Sequence, residues 1–159
     1  MLCSRRILHS AAVAVLLVLT LSCGAAHDSD EFFVLVSANL QVPYWKTAGA
    51  GFSNAAAQMK VRSDFTGPQN YDPKAEREAV DQAVQKKATG ILLAVTDPAL
   101  LKDSIDKAVA AGVPVITIDS DAPSSKRLFF IGTNNYQAGF TGGQRLEARK
   151  SRACSTVIT

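Results

Sequence analysis

The sequence is poor in the residues that most often bind metals or form disulfides. Only three cysteines and two histidines occur among 159 residues. Cys3 lies in an N-terminal leader and Cys23 directly follows it, so Cys154 alone remains once the leader is removed and Cys23 is modified. This excludes a disulfide framework within such a mature chain. No Cys/His cluster has zinc-ligand spacing, because His9 lies in the leader and His27 at the start of the mature chain.

The sequence also lacks nucleotide-binding motifs, and residues 24–144 carry no excess of basic residues. No Gly-x-Gly-x-x-Gly follows the first apolar segment and no Gly-x-x-x-x-Gly-Lys-[Ser/Thr] occurs, so we expect no cofactor. The formal net charge is +3, but residues 24–144 contain 11 Lys/Arg and 13 Asp/Glu, a net of −2. A nucleic-acid binder is expected to carry a basic patch on its folded body. We therefore expect no nucleic-acid partner.

Residues 1–22 have the three-part pattern of an export signal. Arg5 and Arg6 form the positive region, residues 11–21 form an apolar run, and small residues follow. That run is too short to span a bilayer, which takes about 20 residues. The pattern predicts a secretory leader over residues 1–22, with a buried core helix as the alternative. The mature protein is then expected outside the cytoplasmic membrane.

The end of this leader resembles a bacterial lipobox. The segment Thr-Leu-Ser-Cys-Gly at residues 20–24 predicts acylation of Cys23, which would become the new amino terminus and attach the protein to the membrane by a lipid anchor. The alternative is ordinary cleavage after Ala26, where small residues have the required spacing. In either case the predicted location is the periplasm or the outer face of the cytoplasmic membrane.

From residue 31 onward, short apolar runs alternate with helical segments. Strands are predicted at residues 32–37, 60–65, 91–95, 113–118 and 128–131, and a further strand begins at 156–159. Asp72 and Asp97 each precede a proline, which predicts an N-cap followed by the first helical residue. The alternation predicts an α/β fold with a doubly wound, Rossmann-like parallel sheet over residues 32–144.

The sequence also predicts where the helices between these strands begin and end and which residues they bury. The first helix opens at Pro43, and its predicted buried stripe consists of Trp45, Ala48, Phe52, Ala55 and Met59. Gly90 and Gly112 are predicted to terminate the two helices that follow. A last helix is predicted over residues 137–146.

Polar and aromatic residues directly after the strands are the candidate ligand-binding residues, because ligands of parallel sheets bind beyond the carboxyl ends of the strands. These candidates are Asn39, Tyr44, Trp45, Asp119, Ser120, Asp121, Asn134 and Asn135. An aromatic pair can stack on a sugar ring, and a carboxylate can accept two vicinal hydroxyls. The alternatives are that Trp45 only begins a core stripe and that Asn135 caps the next helix. We expect Asp121 to face solvent more than Asp119.

Four ordered segments carry a family resemblance: Val-Ser-Ala-Asn…Pro-Tyr-Trp, Ile-Leu-Leu-Ala-Val-Thr-Asp-Pro, Ala-Gly-Val-Pro-Val-Ile-Thr-Ile-Asp-Ser-Asp and Phe-Ile-Gly-Thr-Asn-Asn-Tyr-Gln-Ala-Gly. Over residues 32–143 the chain resembles the amino-terminal lobe of ribose-type periplasmic sugar-binding proteins, the type I receptors of ABC importers. The resemblance implies a monosaccharide ligand and an ABC permease as partner. It also implies that Tyr44 and Trp45 stack on the sugar and that Asp119 binds its hydroxyls. Ser120 stands where the ribose receptor has an arginine, so the sugar stays open.

The chain differs in length from the family that it resembles. The family has two similar lobes, whereas this sequence ends at residue 159, where the first strand of a second lobe would begin. Residues 145–159 are basic and weakly helical in pattern, which predicts a crossover into a missing lobe or an aberrant tail. We expect a truncated or frame-disrupted product with impaired sugar affinity.

Two other functions remain open at this level. The same lobe could serve as a ligand-binding receptor for a chemotaxis or sensor protein. Asp119-x-Asp121 after an apolar strand also resembles the Mg-dependent phosphatases of the haloacid dehalogenase type. Pro123 stands where that motif has Thr or Val, and export also disfavours it, so we expect no enzymatic activity.

Overall fold

The computed structural model describes residues 27–155, and the side chains of residues 27–149. The leader over residues 1–22, Cys23 and the strand predicted at 156–159 lie outside the described residues. The elements are β1 (Phe32–Val36), α1 (Pro43–Met59), β2 (Arg62–Thr66), α2 (Pro73–Gln85), β3 (Gly90–Leu93), α3 (Pro98–Ala110), β4 (Val115–Ile118), β5 (Phe130–Ile131) and α4 (Asn135–Ser155). Within that range no helix has the length and apolar character needed to cross a bilayer.

The strands form one five-stranded parallel sheet in the order β2-β1-β3-β4-β5. β1 lies between β2 and β3, so that Val34 is paired with Asp64 on one side and Ile91 on the other. The predicted parallel α/β sheet is therefore confirmed. Since all five strands run in one direction, the loops at their carboxyl ends meet at a single edge of the sheet.

Two apolar clusters hold the helices against this sheet. The larger cluster joins strands β1, β3 and β4 to helices α2 and α3; its largest members include Val34, Val36, Ile91, Leu93, Leu101, Ile105 and Val115. The smaller cluster centres on Trp45 of α1 and contains Ala38 and Ala94, with Phe65 packed against it. Successive strand residues point to opposite faces, so Leu35 faces away from Val34 and Val36. Both faces of the sheet are therefore buried, as expected of apolar parallel strands.

Capping explains where α2 and α3 begin. The Asp72 carboxylate accepts hydrogen bonds from the first-turn N–H groups of α2, and the Asp97 carboxylate does the same for α3, at 2.9–3.1 Å. Both predicted N-caps are confirmed. Gly112, at φ +84°, lies just beyond the end of α3. The prediction that Gly90 terminates α2 is wrong, because α2 ends at Gln85 and Gly90 is the first residue of β3.

The buried face of α1 differs from the predicted stripe. Ala55 and Met59 are exposed; the inward positions are Trp45, Gly49 and Ala56, with Phe52 half-buried. Gly49 takes part because the ring of Phe65 in β2 lies directly over it, and a Cβ built there would come within 2.6 Å of that ring. A glycine carries no hydrophobic signal, so the pattern of apolar residues places the stripe on a slightly rotated face.

The last helix is longer than predicted. α4 begins at Asn135 and continues to Ser155, well past residue 146. Its cap is Asn134, whose Oδ1 accepts a hydrogen bond from the Gln137 N–H at 3.0 Å, so the prediction of Asn135 as the cap is wrong. The described side chains of α4 are exposed, and the rings of Tyr136 and Phe140 stack on each other at 6.4 Å.

The close approach of α1 to β2 leads to a stability prediction. Gly49→Ala should lower the free energy of unfolding by about 1–3 kcal/mol, because the new methyl group overlaps the Phe65 ring. Gly51→Ala is the matched control in the same helix. Its Cβ would meet nothing within 4 Å, and the change should stabilise the chain by about 0.5–1 kcal/mol. Urea unfolding midpoints measure both, and equal stabilisation by the two variants would contradict the packing described.

Candidate functional site

A cavity of about 320 Å³ lies at the carboxyl edge of the sheet. Its walls come from the segments that follow β1, β3 and β4 and from the beginnings of α1 and α2. The lining residues are Ala38, Trp45, Tyr71, Pro73, Val95, Thr96, Asp119 and Ser120. The direction of the strands therefore collects side chains from distant parts of the sequence around one space.

The two aromatic residues at the start of α1 have different environments. Trp45 is 3% exposed and serves both as a cavity wall and as the centre of the smaller apolar cluster. Tyr44 is 57% exposed and meets Trp45 edge-on, with ring centroids 4.9 Å apart. Trp45 thus belongs to the apolar core, as the alternative interpretation expected, and it also lines the cavity. Tyr44 presents its ring to solvent beside the opening.

A hydrogen bond joins the end of β1 to the end of β4. The Tyr44 hydroxyl donates to Asp119 Oδ1 at 3.2 Å, although the residues are 75 positions apart in the sequence. Burial, followed by the nearby Asp119 carboxylate, raises the pKa of the Tyr44 phenol. Asp119 has a left-handed backbone (φ +64°), and its N–H donates to the Ile131 carbonyl at 3.0 Å. An exposed ring and an exposed carboxylate therefore lie together at the cavity.

Ser120 and Asn39 hold the loops that form the cavity. The Val95 N–H donates to Ser120 Oγ at 2.9 Å, which ties the end of β4 to the end of β3. Asn39 is buried, and its Oδ1 accepts a hydrogen bond from the Gln41 N–H at 2.8 Å. This contact is a local turn between β1 and α1. Both side chains use a polar atom to fix the loops that carry Tyr44 and Asp119.

Asp121 is turned toward the protein instead. Its carboxylate binds the Arg127 guanidinium through two hydrogen bonds, of which the Nη2 contact is 2.8 Å, and accepts the Thr117 hydroxyl at 2.7 Å. The hydrogen bonds from Arg127 hold the pKa of Asp121 below its usual range. The expectation that Asp121 faces solvent more than Asp119 is wrong: Asp121 is half-buried and Asp119 is exposed. The reason is that Arg127, six residues later, folds back onto Asp121.

The structure therefore brings only some of the predicted site residues together. Tyr44, Trp45, Asp119 and Ser120 are brought together at the cavity. Asn134 and Asn135 lie at the exposed start of α4 instead. The ligand roles of all eight residues stay predictions.

Sequence reasoning missed a buried carboxyl group behind the cavity. Glu76, in the first turn of α2, is 0% exposed. Its Oε2 accepts the Thr96 N–H at 3.3 Å and the Thr96 hydroxyl, whereas its Oε1 has no hydrogen-bond partner within the part of the chain that the structure describes. Burial raises the pKa of Glu76 from 4.5 to about 7. The available signal was its spacing, four and seven residues before the buried Val80 and Ala83.

Two lining residues with polar side-chain groups, Tyr71 and Thr96, were also absent from the predicted set. Tyr71 is exposed at the rim and directly precedes the Asp72 cap, in the loop that follows β2. Thr96 follows β3 and contacts Glu76. Both positions satisfy the rule that selected the other candidates, since each belongs to a segment beyond the carboxyl end of a strand.

The fold and cavity define an α/β ligand-binding lobe. The chain belongs to the family of the periplasmic binding protein domain, which matches residues 33–158. It is 26% identical over 113 residues to the ribose import binding protein RbsB of Bacillus subtilis, an alignment that covers 70% of this chain and 37% of that protein.

Solved structures of binding proteins also match this chain over part of their own length. AraP, an arabinose binding protein from Geobacillus stearothermophilus, matches with a TM-score of 0.72 and 34% identity, over 77% of this chain and 42% of AraP. The XylFII-LytSN complex matches with a TM-score of 0.70 and 32% identity, over 76% of this chain and 44% of that chain. This chain therefore spans less than half the length of each of these relatives.

The raised pKa of Glu76 predicts that stability falls as pH rises. Between pH 4.5 and about 7 the unfolded chain has released the proton that folded Glu76 retains. The free energy of unfolding should decrease across this interval by at most about 3 kcal/mol and then level off. Glu76→Gln should remove this decrease, whereas Glu78→Gln, at an exposed position of the same helix, should retain it. Urea unfolding from pH 4 to 8 measures the slopes, and identical slopes in both variants would contradict the assignment.

Proposed function

We propose that this chain is the amino-terminal lobe of an extracytoplasmic sugar receptor that delivers its ligand to an ABC permease. The observation that carries the proposal is the contact between Tyr44 and Asp119 at the open edge of the sheet. An aromatic ring and a carboxylate side by side suit a sugar, which has an apolar C–H face and hydroxyl groups on its rim.

The cavity contacts support a proposal for how such a ligand would bind. The Tyr44 hydroxyl donates to one oxygen of Asp119, and a sugar hydroxyl would replace it there. Asp119 can then accept two sugar hydroxyls, while Trp45 and Val95 supply apolar walls. Ser120 and Asn39 act indirectly, because their polar atoms are used to hold the loops.

The relatives support this class of ligand without identifying the sugar. RbsB is described as a ribose import protein and AraP as an arabinose binding protein. At the position after Asp119, the Ser120 hydroxyl accepts a hydrogen bond from the Val95 N–H just beyond β3 and carries no charge. A neutral monosaccharide is therefore the proposed ligand.

A complete receptor of this kind would contain more than the described lobe. This chain covers 37% of RbsB and 42% of AraP. We propose that a second lobe closes over the cavity and that α4 leads into it, so that residues 145–159 form the crossover. A single lobe supplies only part of the contacts, and its sugar affinity should be low.

A second candidate function is delivery of a ligand signal to a sensor or chemotaxis protein. The XylFII-LytSN complex favours it, since this neighbour of the lobe assembles with a second protein. Loss of labelled-sugar uptake in cells lacking the protein would favour import. Retained uptake with a lost sugar response would favour signalling.

A phosphatase is disfavoured by the geometry of its proposed acid pair. Asp121 is bound to Arg127, so it cannot act beside Asp119 without breaking that ion pair. Among residues 27–149, no group of three or more His, Cys, Asp or Glu side chains is placed to hold a metal ion. The family itself consists of solute-binding proteins, which agrees with a binding function.

The two aspartates should respond differently to substitution. Asp119→Ala removes hydrogen bonds to a charged acceptor, worth about 1.5–3 kcal/mol each, so sugar affinity should fall about a hundredfold or more with folding retained. Asp121→Ala leaves Arg127 unpaired and should lower stability by about 1–3 kcal/mol while sugar binding persists. NMR titration with ribose and arabinose, together with urea unfolding, separates the two effects. The opposite ranking would show that Asp119 is structural.

Membrane attachment is also part of the proposed function. We propose that the leader is removed and that Cys23 is acylated, which would keep the receptor beside its permease. Cys23→Ser should abolish incorporation of radiolabelled palmitate in a bacterial host, while Cys154→Ser should leave it unchanged. A mature amino terminus at His27, found by mass spectrometry, would instead establish cleavage after Ala26.

A further inference from the structure

We propose that Thr96 is an additional ligand-contact residue that offers a hydrogen-bond acceptor to a sugar hydroxyl, and that the buried Glu76 is the positioning residue that orients it. This inference rests on the proposed function, because it names a further contact of the same cavity. It concerns two residues on neighbouring elements, the end of β3 and the first turn of α2.

The contacts of Thr96 fix the direction of its hydroxyl. Its backbone N–H and its side-chain hydroxyl both donate to Glu76 Oε2. A threonine hydroxyl has a single hydrogen and two lone pairs. With the hydrogen committed to Glu76, the oxygen can only accept toward the cavity that Thr96 lines. A ligand hydroxyl is the matching donor.

The environment of Glu76 shows what its burial achieves. The side chain is fully buried, and no hydrogen bond reaches its Oε1 from any described residue. Burying a carboxyl group in this way is costly. The charged groups around it give no compensation, since Asp97 at the start of α3 is negative and Asp72 caps the helix of Glu76 itself. The hydrogen bonds made by the carboxyl group all go to Thr96, so positioning Thr96 is its specific effect.

The same arrangement makes ligand binding depend on pH. Burial, together with the nearby Asp97, raises the pKa of Glu76 to about 7. Asp119 also lines the cavity as a negative group from the end of β4. A sugar seated on Thr96 excludes water and further disfavours the ionised form of Glu76. Binding is therefore accompanied by proton uptake, and affinity should fall as the pH rises through 7.

The experiment is an NMR titration of the full chain with ribose and with arabinose between pH 6 and 8. Thr96→Val keeps the shape but removes the hydroxyl, and should weaken binding about threefold to tenfold. Thr96→Ser keeps the hydroxyl and should lose less affinity than Thr96→Val does. Glu76→Gln keeps an acceptor oxygen without titrating, so its sugar affinity should not change between pH 6 and 8. The exposed Glu78→Gln should retain the wild-type profile.

A second measurement does not need sugar. The side-chain carboxyl carbon resonance of Glu76 should titrate near pH 7 in the wild type. Since the hydrogen bonds from Thr96 lower the pKa of Glu76, the midpoint should move upward in Thr96→Val. An unchanged midpoint would overturn the coupling between the two residues.

The outcomes distinguish failure of the proposed function from failure of the role assigned to Thr96 and Glu76. If neither sugar binds the wild-type chain, although Glu76 titrates as expected, the proposed function fails and the ligand role of Thr96 fails with it. If sugar binding is lost in Asp119→Ala but is unaffected in Thr96→Val, the cavity is a sugar site and this inference alone is wrong. A Glu76→Gln variant with the wild-type pH profile would likewise overturn it.

Discussion

The parallel pairing of β1, β3 and β4 is the constraint on which the site depends. These strands are buried on both faces, and they run in one direction, so their following loops lie at one edge. Tyr44 and Asp119 can touch only because β1 and β4 flank β3 in this alignment. If β1 or β4 ran in the opposite direction, Tyr44 and Asp119 would lie at opposite edges of the sheet. The binding chemistry is thus a consequence of the topology.

Features with local causes could be predicted from the sequence. The strands are continuous apolar runs, and the caps at Asp72 and Asp97 each need only a neighbouring turn of helix. The parallel α/β class followed from their alternation. The cavity wall at Trp45 and Asp119 followed in turn from the rule that loops beyond strand ends bind ligands.

Features that depend on contacts between distant elements were harder to predict. The orientation of α1 depends on the close contact between Gly49 and the Phe65 ring. A pattern of hydrophobic residues does not reveal this contact, because glycine has no side chain. Asp121 is drawn inward by Arg127, which requires the β4–β5 loop to fold back. Glu76 belongs to a charged residue type that is rarely buried, so its position on the apolar face of α2 did not by itself indicate burial.

The left-handed backbone of Asp119 has a consequence for how this site can diversify. At φ +64°, a β-branched residue would be strained, whereas Gly, Asn and Asp are tolerated. The repertoire of side chains available at this position is therefore narrow, whatever ligand is selected. New specificities in descendants of this scaffold should arise mainly at neighbours with ordinary backbone angles, such as Tyr71 on the rim. The turn that places the carboxylate also limits its replacement during evolution.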